Sequence, residues 1–114
     1  MKIRVKRIYE APDKGDGLRI LVDRLWPRGF SKERAAIDFW LRDVAPSGDL
    51  CKWFGHKPDR WLEFKTRYHK ELDGNPEPLS RIAARGREQA ITLLYAAKDE
   101  QHNNAVALAE YLKR

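Results

Sequence analysis

The sequence predicts an α/β fold: a small sheet of about four strands, largely parallel, flanked by helices, with residues 1–114 forming a single domain. Three observations carry this reading. Ala90 to Ala97 is the most apolar run in the chain, as expected of a parallel strand covered on both faces. Trp61, Phe64, Tyr68 and Leu72 recur at the spacing of one helical face. Strand-type and helix-type patterns follow the order β-β-(α)-β-α-α-α-β-α, which favours parallel strands joined through helices.

In chain order, residues 2–9 alternate, with Lys2, Arg4 and Lys6 on one side and Ile3 and Val5 on the other. That period of two predicts a half-exposed strand near a sheet edge. Asp13 to Gly17 is a turn by its glycines, and Leu18 to Val22 is a short buried strand. Pro27 and Gly29 interrupt regular structure, and Ser31 can cap a short helix over 32–36. Residues 37–41 alternate again as a third strand, and Ser47 can cap the next helical stretch. Pro58 suits the first turn of a helix that ends at Gly74-Asn75-Pro76. A further helix starts near Pro78, with Leu79, Ile82 and Ala83 inward, and ends around Gly86. After the apolar strand, Ala105, Leu108, Ala109 and Leu112 mark one face of a last helix.

Composition narrows the class of function. The chain has 114 residues, 42% of them hydrophobic, with four each of Trp, Tyr and Phe, enough for a packed core. Its longest uninterrupted apolar stretch, residues 93–97, is far short of the ~18 needed to span a membrane. The N-terminus lacks the apolar core of a signal peptide, and the lone Cys51 cannot form an internal disulfide. A cytoplasmic location is therefore expected, without a cofactor, a metal or a membrane partner. The net charge is +6, concentrated in residues 1–34, where ten basic side chains face five acidic ones. Such a balance attracts phosphate, whether on a small molecule or on nucleic acid.

In open parallel sheets, ligands bind beyond the carboxyl ends of the strands. Three such ends are polar here. The second strand runs into Asp23, Arg24, Trp26 and Arg28. The third runs into Asp43 and Ser47, and the fourth into Lys98, Asp99, His102, Asn103 and Asn104. Arginine forks and a lysine near helix starts suit a phosphate or carboxylate. On the plainer reading, Asp23 pairs with Arg24 or Arg28, and Asp99 or Asn103 only caps the last helix. His56 follows Trp53-Phe54-Gly55 and can donate or accept a proton, while the two aromatics are expected to pack under a turn. Other chemistries fail on spacing. Cys51 finds Lys57, and no arginine, six positions on, and the three histidines match no zinc pattern. There is no P-loop, no GxGxxG and no Gly-x-Ser-x-Gly elbow.

Four segments carry a resemblance: residues 22–29 (VDRLWPRG), 53–56 (WFGH), 92–99 (TLLYAAKD) and 102–105 (HNNA). Together they resemble domain-of-unknown-function family 488, the YeaO-like proteins, over nearly the whole chain. The resemblance implies a bacterial or archaeal, cytoplasmic protein and carries over no established activity; Cys51 is not part of the family pattern. The motif positions coincide with the strand ends singled out above.

The expectation is thus a polar pocket at the strand C-terminal ends that binds an anionic, phosphate-bearing or nucleotide-like small molecule. Arg24, Trp26, Arg28, Ser47, Lys98, Asn103 and Asn104 would bind the ligand, and His56, Asp43, Asp99 and His102 would supply acid–base groups. Hydrolytic or group-transfer chemistry is compatible with that set, and so is binding alone. The alternative is a basic nucleic-acid-binding or regulatory accessory module.

Overall fold

The computed structural model describes residues 1–114. Its strands are β1 (Ile3–Arg7), β2 (Leu18–Leu21), β3 (Phe39–Trp40) and β4 (Ile91–Tyr95). Its helices are α1 (Lys32–Ala35), α2 (Gly48–Phe54), α3 (Trp61–Asp73), α4 (Pro76–Gly86) and α5 (Asn104–Leu112). The sheet order is β1-β4-β2-β3 and every pairing is parallel. β4 lies between β1 and β2, with Ile91 opposite both Ile3 and Leu18, and all five of its residues are buried. Its apolarity follows from that position, and the charged alternation of β1 follows from its place at the edge.

Two cores flank the sheet. Ile91, Leu93 and Tyr95 of β4, with Ile20 and Val22, meet a thick helical layer that includes Leu50, Phe54, Phe64, Tyr68, Leu72, Ile82 and Leu108. On the opposite face, Leu21, Leu94 and Ile8 are covered by a thinner layer, Phe30 and Ala35 with Trp26, Ile37, Trp40 and Ala96 packed against them. Phe64, Tyr68 and Leu72 form the buried face of α3, whereas Trp61 at its start is only partly buried, beside His102. No helix is long and apolar enough to cross a membrane.

Two elements differ from expectation. β3 is shorter than residues 37–41, because the Asp38 carboxylate accepts from the Arg19 N–H and the chain turns at Arg42–Val44. α4 begins at Pro76 rather than Pro78. The first helical turn uses no backbone N–H within the helix, so it accommodates both prolines.

The N-terminal edge of the sheet holds a buried ion cluster. Arg19, 5% exposed, pairs with Asp16, 1% exposed, and donates to the carbonyls of Ala35 and Ala36 at the end of α1. Lys6 completes the group at 3.1 Å from Asp16, and Thr92 donates to the Asp16 carbonyl. Burial alone would raise the Asp16 carboxyl. Hydrogen bonds from the Asp13 N–H, Lys6 and Arg19 outweigh it and hold the group below the ordinary carboxylate range.

Candidate functional site

Since all four strands are parallel, their C-terminal ends share one edge, opposite the ion cluster. After β2 the chain passes over the thin side of the sheet to α1, while after β4 it turns to the thick side and α5. Neighbouring strands whose connections leave on opposite faces open a crevice between their ends. A cleft of about 780 Å³ lies there.

The loop after β2 supplies one wall. Two indoles pin it: the Trp40 N–H donates to the Asp23 carbonyl at 2.8 Å, and the Trp26 N–H donates to the Phe30 carbonyl at 2.7 Å. The two rings meet edge to face, 5.4 Å apart. Arg24 and Arg28 extend from this pinned loop into the cleft lining, both exposed and neither engaged in an ion pair or hydrogen bond. The Arg24 guanidinium carbon lies 3.5 Å from where a Cβ on Gly48 would stand, so the first residue of α2 leaves it room.

α2 supplies the second wall. Leu50 and Phe54 point to the core, and Gly48, Cys51 and Lys52 point to the cleft. Cys51 is exposed on the cleft, and partial desolvation pushes its thiol up, with nearby Arg24 only partly opposing. Beyond the helix, Gly55 and His56 both take left-handed backbone, at φ 54° and 56°. Histidine tolerates that region better than most residues, and the turn brings the exposed His56 onto the cleft.

The floor comes from β2, β4 and α5. Asp23 pairs with neither arginine, contrary to the plainer sequence reading. Its carboxylate accepts from the Ala96 N–H at 2.9 Å and from the Asn104 side chain at 3.1 Å. Burial pushes this carboxyl up, with the Asn104 and Ala96 bonds offsetting only part of the effect. Asn104 also donates to the Val22 carbonyl. Asn103 lines the cleft as the cap of α5, its side chain taken by the Val106 N–H and the Asp99 carbonyl. His102 stands edge-on to Trp61 and 2.9 Å from the Asp99 carboxylate through Nδ1.

Of the residues singled out in the sequence, Arg24, Trp26, Arg28, His56, His102, Asn103 and Asn104 line this one cleft. Four do not. Asp43 is exposed in the turn after β3, where its carbonyl accepts from Asn75. Lys98 is exposed, outside the cleft lining. Asp99 stands behind His102, its carboxyl held low by the His102 hydrogen bond and by the Gln101 and His102 N–H groups. Ser47 is a structural cap: its hydroxyl accepts from the Leu50 N–H and donates to Glu71. Ser47→Ala is therefore expected to lower stability by about 1 kcal/mol, read as a shift of the urea midpoint, without changing the cleft. Trp53 is partly buried under Arg60 and Arg67, at 5.2 and 4.3 Å from its ring, and Phe54 is core. The sequence reading missed Lys52. The spacing of Gly48, Cys51 and Lys52 on one face of a helix capped by Ser47 would have found it.

Comparison with known proteins matches residues 2–114 to the family model described as the inactive DUF488-N3 subclade. The chain is 40% identical over 113 residues to the "Uncharacterized protein YeaO" of Escherichia coli (strain K12), covering 99% of this chain and 98% of that protein. It is 38% identical over 111 residues to the "Uncharacterized protein Rv3073c" of Mycobacterium tuberculosis (strain ATCC 25618 / H37Rv), covering 97% of this chain and 93% of that protein. No solved structure matches it.

Proposed function

The chain belongs to the DUF488 family, and from that premise we propose that its cleft binds a small phosphate-bearing, nucleotide-like anion and holds it without turning it over. The observation that supports this most is the set of Arg24, Arg28 and Lys52, three exposed cations on one cleft with no protein partner. An unpartnered guanidinium in a pinned loop is ready to form forked bonds to phosphate. A volume of about 780 Å³ suits a nucleotide-sized molecule better than a bare ion. Binding without turnover is favoured because the matching subclade is described as inactive.

The test is a thermal-shift screen with phosphate monoesters, followed by calorimetry on the hits. Arg28→Ala is expected to weaken binding by about 1.5–3 kcal/mol, the value of one charge-assisted bond. The melting temperature without ligand should stay nearly unchanged, since Arg28 is exposed and unpaired. A flat screen, combined with duplex DNA binding that falls steeply with salt, would replace this reading with the nucleic-acid one.

A further inference from the structure

We propose that Asp23 is the group that chooses among anions, and that the cleft takes a phosphorylated polyol, such as a sugar phosphate or nucleotide, over phosphates without hydroxyls. This rests on the anion-binding reading above and names the ligand's other half.

Arg24, Arg28 and Lys52 are exposed and form the mouth, where three cations outnumber the one exposed carboxylate, Asp49, while Asp23, Asn104 and His102 are half-buried and lie deeper. A carboxylate on the floor repels a phosphate that sinks to it, so the phosphate belongs at the mouth and something else must reach Asp23. That part must donate hydrogen bonds. An ionised carboxylate offers about four acceptor positions, and the protein fills two, one on each oxygen, from Ala96 and Asn104. The remaining positions belong to a residue that lines the cleft. The two occupied positions also fix the carboxylate's orientation, since the end of β4 and the start of α5 hold it from two sides. A hydroxyl-bearing carbon chain between mouth and floor satisfies both ends. A bare phosphate or an alkyl phosphate satisfies only the first and covers the half-buried Asp23 without giving it new partners.

The experiment titrates the intact protein with ribose 5-phosphate, pentyl phosphate and inorganic phosphate by calorimetry. Ribose 5-phosphate is expected to bind at least about tenfold more tightly than pentyl phosphate, the effect of one or two hydroxyls on a charged acceptor. In Asp23→Asn the ratio should shrink to within about twofold, the loss falling on the sugar phosphate. Equal affinity of wild-type protein for the two esters would overturn the role of Asp23 and leave the anion site standing. Failure of all three probes to bind would overturn the anion site and this inference together. Should Asp23→Asn not fold, the wild-type ratio decides alone.

Discussion

Replacing Asp16 by asparagine is expected to lower the unfolding free energy by about 3–5 kcal/mol, because it breaks a buried ion pair by removing one partner. The substitution leaves the Arg19 guanidinium buried with its two carbonyl partners and no counter-charge. It also removes the counter-charge of Lys6 and one of the two acceptor oxygens that Lys6, Arg19 and the Asp13 N–H share. The pH dependence has a definite sign. Because the folded state holds the Asp16 carboxyl below its unfolded value, this stabilisation is fully present above the ordinary carboxylate range. It is lost as pH falls through the lowered folded value. Urea titrations from pH 7 downward should show wild-type stability falling in acid and a flatter profile for the asparagine variant. A midpoint at neutral pH within measurement error of wild type would refute the buried pair as a stabilising unit.

Gly17→Ala is expected to cost a comparable amount, about 2–6 kcal/mol, for a steric reason. Gly17 has φ 63° and ψ −134°, a region essentially reserved for glycine. A Cβ there would stand 2.2 Å from the Ala90 carbonyl oxygen and 2.8 Å from its carbon. That oxygen accepts the Leu18 N–H at 2.9 Å, the first rung between β2 and β4. The methyl group must therefore push apart the two central strands at their start. Circular dichroism with urea should show a lower midpoint, while a midpoint equal to wild type would show that the turn relaxes freely. Asp16 and Gly17 are adjacent, so the double variant should cost less than the sum of the singles.

Much of the fold was legible because hydrophobic period and burial agree in it. The element order, the edge position of β1, the central β4 and the serine caps at 31 and 47 all follow from local pattern. Arg19 was not legible. It sits in an apolar strand run whose reading expects solvent or core, and only the return of α1 supplies the carbonyls that let a guanidinium be buried. The turn at residues 13–17 was visible by its glycines, but the partner that makes Asp16 a buried ion lies three residues on, across the turn.

The cleft was legible in part because the segments after β2 and β4 converge at one sheet edge, which brings Arg24, Arg28, His102 and Asn104 together, although Lys98 in the same segment lies outside it. It was not legible where a polar side chain serves its own helix end, as at Ser47 and Asp99. Lys52 and the floor role of Asp23 depend on which face α2 presents and on where β4 ends. Both are tertiary facts, fixed by packing and not by spacing along the chain.

The loop pinned by the two indoles has a double duty. Its Phe30 side covers Ile8, Leu21 and Leu94, and its arginine side forms the mouth of the cleft. Peeling this loop away would expose the smaller core and, on the proposed anion-binding reading, dismantle the arginine mouth in one event. On that reading, occupancy and local order are a single equilibrium. A ligand held by both arginines acts as a clasp on the thinnest layer of the molecule. At a hundredfold excess over its dissociation constant it would add about 2.7 kcal/mol to the work of opening that layer.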